Sequence, residues 1–292
     1  MLAIHNPVGS NRSNPVYAIG GIGGSGTRLV AMLMSTLGFT MGRHLNTEMD
    51  NLYFTLLFKR PEILNMDNNE FAACVDLFLG SLYGRQPCKE FVAIIKKAAQ
   101  SHPAGWSESV SSHFIRSFTT KPENSGFGSC TGWKEPNTHI IIDRLYQCIP
   151  SLKYIHVIRH GLDMAYSNNK RQALLWGKYL LDTEPYDTNP PYLLRYWCAV
   201  HKRMQEFSSQ WASDRPVFWL NYDKLLTDPV PILHAFLEFL GMQASENTID
   251  TLQRLINGSS SSGKYIQQDL SIFSVEDVAY VESLGFTIHQ ES

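Results

Sequence analysis

A glycine-rich segment near the start of the chain has the residue types and spacing of an anion-binding loop. A short apolar run, Val16 to Ile19, leads into the glycine-dense stretch Gly20 to Gly26, and a helix-periodic apolar run begins near Thr27. Such a loop directs successive backbone N–H groups at one point, and the N-terminus of the following helix adds partial positive charge. The glycines permit close approach and positive φ angles. The segment therefore predicts a site for a phosphate compound.

Two familiar glycine motifs fit this segment only in part. Residues 21–26 match G-x-G-x-x-G, the dinucleotide fingerprint, which requires a second strand ending in an acidic residue about 20 residues later. Glu48 and Asp50 lie near that distance, but the residues before them make a poor strand. The same residues fit a P-loop frame, with Thr27-Arg28 where a lysine should reach the β- and γ-phosphates. The loop alone does not decide which phosphate compound it binds.

A second anion-binding pattern lies far downstream. The apolar run YIHVI is typical of a buried strand; it ends in Arg159, and Ser167 follows eight residues later in a segment expected to be helical. An arginine at a strand end can place its guanidinium fork on a phosphate, and a hydroxyl two helical turns further on can reach the same anion. Asp163 lies between them in sequence, and we expect its carboxylate to orient the arginine.

Together these patterns resemble the cofactor site of the sulfotransferases that use 3′-phosphoadenosine 5′-phosphosulfate (PAPS). GGSGTR resembles the family's 5′-phosphosulfate loop, and Arg159 with Ser167 resembles its 3′-phosphate site. The segments TGWKEP, WLNYDKLLTDP and SSSSGKY resemble three further family segments in the same order. The resemblance covers roughly residues 16–270 and implies a P-loop-like fold.

The resemblance also implies roles for individual residues. Backbone N–H groups from the loop, with the Ser25 and Thr27 hydroxyls, would hold the 5′-phosphosulfate, although these hydroxyls would also suit simple helix capping. Lys134 would neutralise charge developing on the transferred group. The family usually has a basic residue where this chain has Gly24, and Arg28 or Lys134 would replace that charge. The implied cofactor-binding residues are Gly23, Gly24, Ser25, Gly26, Thr27, Arg28, Arg159, Ser167 and Lys264.

A general base must take the proton of a hydroxyl acceptor. Family members use a histidine or a carboxylate placed after the first helix, so Asp50, Glu48, His44 and, from another strand, His139 are the candidates. We expect Asp50 ahead of Glu48, and we include both with Lys134 and Arg28 as candidate catalytic residues. Aromatic side chains that would line an acceptor pocket, unless they belong to the core, are Tyr53, Phe54, Trp106, Trp176 and Tyr179.

Strands alternate with helices along most of the sequence, which predicts a parallel sheet covered by helices on both faces. With the family resemblance, we expect a three-layer α/β/α fold of the P-loop NTPase-like kind. Residues 51–118 show helical periodicity and predict a helical cap within a single domain spanning residues 16–292, after a flexible lead-in at 1–15. Residues 171–190 contain several aromatic residues and prolines, and we expect them to form a surface excursion.

Composition limits the compartment and the partners. The formal net charge of −2 provides no general basic field, so nucleic acid is not expected as a partner. Five scattered cysteines are typical of free thiols in a reducing compartment. The sequence shows neither a secretory signal nor an apolar run of the ~20 residues that a membrane helix needs. We therefore expect a cytoplasmic protein.

The predicted activity is in-line transfer of a sulfuryl group from PAPS, without a metal, to a hydroxyl or amine of an acceptor. The acceptor would be a small molecule or a glycan- or lipid-like compound, and the sequence predicts no oligomeric state. The alternatives are a P-loop nucleotide-dependent kinase, a Rossmann oxidoreductase, or a nucleotide-binding relative without catalysis. An oxidoreductase would leave Arg159 and Ser167 unexplained. A kinase would need a Walker B carboxylate at the end of an apolar strand, and the sequence shows none.

Overall fold

The computed structural model describes residues 14–83, 89–100, 109, 112–113, 116, 131–182, 187–243, 245–257 and 263–289. Most of the predicted lead-in and Trp106 lie outside these residues, as does most of the final part of the predicted cap.

A parallel sheet forms the centre of the described structure. Its strands are β1 (Val16–Gly21), β2 (Thr131–Lys134), β3 (Leu152–Ile158) and β4 (Phe218–Asn221), in the order β2-β1-β3-β4, and all three pairings are parallel. Every residue of β1 and β2 is buried, as expected for strands covered on both faces. The predicted parallel sheet is confirmed.

The strand order creates a topological switch point at β1. From β1 the chain passes to β2 on one side and then to β3 on the other, so the two connections diverge. In open α/β sheets, ligands bind in the crevice beyond the carboxyl ends of strands at such a point. The register pairs Gly21 with Val157 and Ile19 with Lys134. The glycine loop, the end of β2 and Arg159 therefore meet at one edge of the sheet.

Helices surround this sheet, and two 3₁₀ segments, Pro61–Leu64 and Pro136–Ile141, precede α3 and α5. The α-helices of the described residues are α1 (Thr27–Thr36), α2 (Leu52–Phe58), α3 (Asn68–Leu82), α4 (Lys89–Gln100), α5 (Ile142–Cys148), α6 (Gly161–Ala165), α7 (Arg171–Leu180), α8 (Pro190–Trp211), α9 (Tyr222–Thr227), α10 (Pro229–Phe239), α11 (Glu246–Ile256) and α12 (Val275–Ser283).

The strands bury alternate side chains in two hydrophobic clusters. Tyr17 and Ile19 of β1 face a cluster shared with α1, α10 and α11, whereas Val16 and Ala18 face a cluster shared with α2, α3, α4 and α8. Alternation of this kind follows from the period of two in a strand. The sheet is thus covered on both faces, which confirms the predicted three-layer architecture.

The helical cap packs on the strand that carries Lys134. Phe54 of α2 stacks on Trp133, and Phe78 of α3 meets the same indole edge to face at 5.1 Å. This aromatic contact fixes α2 against β2 and thereby positions the turn before α2. The cap is confirmed as helical over the described residues of α2 to α4.

The expectation of a surface excursion at 171–190 is wrong for its first half. Residues 171–180 form α7, which buries Ala173, Trp176 and Gly177 on one face. The Trp176 indole N–H donates to Asn137 Oδ1 at 2.7 Å. The helix ends before Pro185, so the prolines that suggested irregular structure lie beyond it. None of the helices in the described residues combines the length and the apolar character needed to cross a membrane.

Candidate functional site

The glycine loop between β1 and α1 adopts a conformation that two of its glycines make possible. Gly24 has φ of 101° and Gly26 has φ of 97°, in the region that side-chain-bearing residues rarely adopt. A Cβ atom at Gly26 would also lie 2.1 Å from the Tyr222 ring. A basic residue at position 24 would be strained in this loop, which explains in physical terms why a glycine occupies the position.

The two hydroxyl residues of the loop are buried but do not cap the helix. Ser25 is 2% exposed, and its Oγ has no hydrogen-bond partner among the described residues. Gly26 is the N-cap of α1, and no side chain accepts a capping hydrogen bond there. Thr27, also buried, is the first residue of the helix. An unsatisfied buried hydroxyl at a helix N-terminus is suited to an anion that supplies the missing acceptor.

Gln172 from α7 holds the first part of the loop from both sides, a contact that the sequence did not suggest. Its Oε1 accepts from the Gly23 N–H at 3.3 Å, and its Nε2 donates to the Gly21 carbonyl at 3.2 Å. The Ser25 N–H donates to the Ile22 carbonyl at 2.9 Å. Two of the loop amides predicted to bind phosphate, those of Gly23 and Ser25, therefore have protein acceptors.

Gly24 joins the two anion-binding patterns. Arg159, just beyond β3, donates from Nη1 to the Gly24 carbonyl at 3.2 Å. A Cβ atom at Gly24 would lie 3.6 Å from Ser167 Oγ. Ser167 follows the five-residue helix α6 instead of lying within it, so the expectation that it is helical is wrong, yet the hydroxyl still reaches the loop. The structure brings Arg159 and Ser167 together at the glycine loop.

Asp163 binds the backbone of the segment that begins at Gly263, near the end of the chain. Its carboxylate accepts from the Gly263 N–H at 2.7 Å and from the Tyr265 N–H at 3.4 Å, and it lies 3.9 Å from the Arg159 guanidinium. Lys264 stands between the two anchored amides and is exposed. Asp163 therefore links Arg159 to the segment that carries Lys264.

Lys134 and Asp50 form a nearly buried ion pair. Lys134 is 3% exposed; its Nζ lies 2.5 Å from Asp50 Oδ1 and 2.9 Å from the Glu48 carbonyl oxygen. Asn46 Nδ2 donates to Asp50 Oδ2 at 3.0 Å, and Asn46 Oδ1 accepts from the backbone N–H groups of Glu48 and Asp50. The turn is further fixed where the Asn51 N–H donates to the Lys134 carbonyl at 2.8 Å.

Glu48 faces the opposite side of this turn and pairs with Arg28. Arg28 Nη1 lies 2.7 Å from Glu48 Oε2, and both side chains are about half exposed. Met49, between the two acidic residues, has φ of 63°, a strained conformation that turns Glu48 and Asp50 toward different cations. Arg28 and Lys134, the two candidates for the missing charge, thus differ sharply in burial.

The two candidate histidines lie in different surroundings. His139 is 1% exposed, and burial lowers its pKa to about 3, so the ring is neutral at pH 7. It lies in the core beside His156. His44 is half-buried next to Tyr53, and burial lowers its pKa, with smaller contributions from His113 and Arg43.

A cleft of about 440 Å³ connects the glycine loop to the Glu48–Asp50 turn. It also contains residues that the sequence did not suggest, among them Lys59 and Arg171. Their position depends on how α2 and α7 pack on the sheet, so local sequence carried no signal for them. The cleft is lined by Gly23, Asn46, Glu48, Asp50, Lys59, Pro136, Asn137, Asn168, Asn169, Arg171 and Gln172.

Glu135 supports one wall of this cleft from below. It is fully buried, and burial raises its pKa, while Lys59 at 3.5 Å opposes that shift. Its carboxylate caps the 3₁₀ segment after β2 by accepting from the Asn137 backbone N–H at 2.6 Å and from Asn137 Nδ2 at 2.9 Å. Within the described residues, no group of three His, Cys, Asp or Glu side chains could hold a metal ion.

Comparisons with known proteins concern the family and the fold of the chain. A model described as "Sulfotransferase family" matches residues 18–246. No curated protein matches the sequence significantly. The sulfotransferase domain of the olefin synthase of Synechococcus PCC 7002 aligns with a TM-score of 0.53 at 15% identity, covering 97% of this chain and 98% of that one. Sulfotransferase STF9 of Mycobacterium avium aligns with a TM-score of 0.50 at 12% identity, covering 97% and 79%. At these identities the structural likeness concerns the fold.

Proposed function

The chain belongs to the sulfotransferase family, and on that premise we propose that it transfers a sulfuryl group from PAPS to a hydroxyl or amine of an acceptor by in-line displacement. One observation carries the proposal. Arg159 donates to the Gly24 carbonyl, and a Cβ atom at Gly24 would lie 3.6 Å from Ser167 Oγ, so residues of two anion-binding patterns from distant parts of the chain lie beside the same point of the glycine loop. A donor with phosphate groups at both the 3′ and 5′ positions matches two such sites.

The residues at this edge fit the donor. The loop, with the Ser25 and Thr27 hydroxyls, would hold the 5′-phosphosulfate, and the unsatisfied, buried Ser25 Oγ supports that role. Arg159 and Ser167, with Lys264 from the anchored segment, would hold the 3′-phosphate. When bound, PAPS supplies an activated sulfuryl group whose leaving group is a phosphate. Sulfuryl transfer depends largely on holding the donor in the right geometry, which a pre-formed loop provides.

We propose that Lys134 replaces the basic residue that the family usually has at the position of Gly24. It lies at the carboxyl end of β2, and its near-complete burial means that its charge acts in a medium that screens it little. Arg28 is half exposed and held by Glu48, so its charge is screened by water. Arg28 then holds the Glu48 carboxylate beside the loop, and from the first turn of α1 it adds positive charge near the anion site.

Asp50 is our choice for the general base. Each of its carboxylate oxygens already has one donor, Lys134 on one side and Asn46 on the other, and each can accept a further hydrogen bond. Asp50 would take the proton that the acceptor loses as its oxygen or nitrogen bonds to sulfur. Glu48 lies on the same turn but is more exposed, whereas His139 is enclosed in the core. The Lys134–Asp50 pair thus combines charge stabilisation and proton acceptance in one contact.

Calorimetric titration of the protein with adenosine 3′,5′-bisphosphate, Mg-ATP and NAD tests the proposal. We expect the bisphosphate to bind at least about tenfold more tightly than either rival, because only the bisphosphate places phosphates at both anion sites. Preferential binding of Mg-ATP would favour a kinase, and preferential binding of NAD an oxidoreductase. Bisphosphate binding without sulfuryl transfer to any acceptor would favour a non-catalytic relative.

Replacing Gln172 with methionine tests how the loop is held. The variant keeps the side-chain length but leaves the Gly21 carbonyl and the Gly23 N–H without partners, so we expect bisphosphate affinity to fall about tenfold. Gln210→Met, on the exposed face of α8, is the matched control. Titration of both variants, with thermal unfolding as a check on folding, gives the comparison; equal affinity in the two would contradict a role for Gln172 in the loop.

A further inference from the structure

We infer that the acceptor is a neutral, polyhydroxylated molecule of the carbohydrate class, an inference that rests on the proposed function and narrows its acceptor. The cleft beside the loop has walls made almost entirely of carboxamide and charged side chains. No aromatic residue is among the described residues that line it. The described part of the acceptor site is therefore polar on all sides.

Some of these polar groups are fixed in place by the fold. Asn137 holds Glu135 and accepts from Trp176, and Asn46 and Gln172 are bonded to the turn and the loop respectively. Fixed donors and acceptors recognise a ligand without losing side-chain freedom on binding. These three carboxamides form a rigid polar frame in the cleft that Gly23 and Asp50 also line.

Other polar groups extend from this frame into the solvent-filled cleft. Asn168 and Asn169 are exposed on the segment between α6 and α7, Arg171 is exposed at the start of α7, and Lys59 is half-buried in the same cleft lining. A carboxamide carries a donor and an acceptor side by side, and each hydroxyl of a sugar ring is also both. Neighbouring hydroxyls can thus pair with one carboxamide, which a single phenol or sterol hydroxyl cannot do.

Charge balance favours a neutral acceptor. Both carboxylates of the lining, Glu48 and Asp50, are already paired with cations, and Lys59 is paired with a buried carboxylate, so Arg171 is the one charge among the described lining residues for which no ion pair is found. A strongly charged acceptor would have to compete with these existing ion pairs. The volume of about 440 Å³ lies within the range of small-ligand sites and leaves room for more than the transferred group.

The same walls would bind an apolar acceptor weakly. A planar or steroidal ring is bound by burying its carbon surface against carbon, and here it would instead strip water from carboxamides and charges without replacing their hydrogen bonds. The aromatic residues that the sequence suggested for such a pocket are elsewhere: Tyr53, Phe54 and Trp176 are buried in the core. Tyr179 is exposed and is not part of the cleft lining.

Saturation-transfer difference NMR on the protein loaded with adenosine 3′,5′-bisphosphate tests this inference. Maltose and N-acetylglucosamine serve as carbohydrate probes, and 2-naphthol and dehydroepiandrosterone as apolar probes. We expect saturation of the sugars and none of the apolar probes. Asn168→Leu should weaken sugar binding about tenfold without changing bisphosphate affinity, because one carboxamide pair is lost. Asn247→Leu, exposed on α11, is the matched control and should leave sugar binding unchanged.

The two levels of the proposal fail in different ways. If the protein does not bind the bisphosphate, the proposed function is wrong. If the bisphosphate binds but naphthol or the steroid is saturated in preference to the sugars, or no sugar is saturated, the acceptor class is wrong and the proposed function stands. Equal sugar binding by Asn168→Leu and Asn247→Leu would remove the segment between α6 and α7 from the acceptor site.

Discussion

Replacing Lys134 with methionine should lower kcat for sulfuryl transfer by about 10²–10³-fold, the range seen when one pre-organised group facing developing charge is removed. The ammonium is almost completely buried at the carboxyl end of β2, so water cannot take over its role. Methionine keeps the packing of an unbranched chain. We expect bisphosphate affinity to change much less than kcat, since the role proposed for Lys134 is to stabilise charge on the transferred group and not to bind the nucleotide. Steady-state transfer of radiolabelled sulfate, with calorimetry on the same samples, measures both.

The contact with Asp50 requires its own control, because removing one partner of a buried ion pair destabilises the fold. Lys134→Met should therefore lower the melting temperature, and the double variant Lys134→Met with Asp50→Asn should recover part of it while remaining inactive. Lys153→Met, at the amino end of β3, is the matched control for loss of a lysine from the sheet. A Lys134→Met protein that folds and transfers sulfate at the wild-type rate would exclude Lys134 from the mechanism.

What the sequence predicted well was local in the chain. The strand, glycine loop and helix from Val16 to Thr36 are contiguous, so their pattern of apolar and glycine residues was sufficient. Arg159 was identified because it ends the most apolar strand, and strand ends in a parallel sheet meet at one edge. The sequence predicts Ser167 in a helix, but α6 ends at Ala165.

What the sequence missed depends on packing between distant segments. Lys134 and Asp50 are separated by 84 residues and meet because Phe54 and Trp133 fix α2 against β2. Gln172 reaches Gly23 of the loop, 149 residues away, from a helix that Trp176 holds to the 3₁₀ segment after β2 through Asn137. His139 is a candidate base by sequence, yet the 3₁₀ segment after β2 turns it into the core. No local pattern encodes these three outcomes.

Replacing Arg159 with alanine should weaken binding of adenosine 3′,5′-bisphosphate by about 2 kcal/mol or more, roughly 30-fold, because a charge-assisted, forked contact with phosphate is lost. Arg159→Lys should recover only part of this, since an ammonium keeps the charge but not the fork. Arg254→Ala, exposed on α11, controls for loss of one positive charge and should bind as the wild type does.

The contact between Arg159 and the Gly24 carbonyl means that this loss of affinity has two possible sources. Adenosine 5′-monophosphate separates them, because it lacks the 3′-phosphate but still occupies the loop. If Arg159 binds the 3′-phosphate, Arg159→Ala should leave affinity for the monophosphate unchanged. Affinity then falls only for the bisphosphate, the ligand that carries the 3′-phosphate. If both ligands lose affinity equally, Arg159 acts by holding the loop. If neither loses affinity, the 3′-phosphate lies elsewhere, and the convergence of Arg159 and Ser167 on Gly24 is only a packing contact.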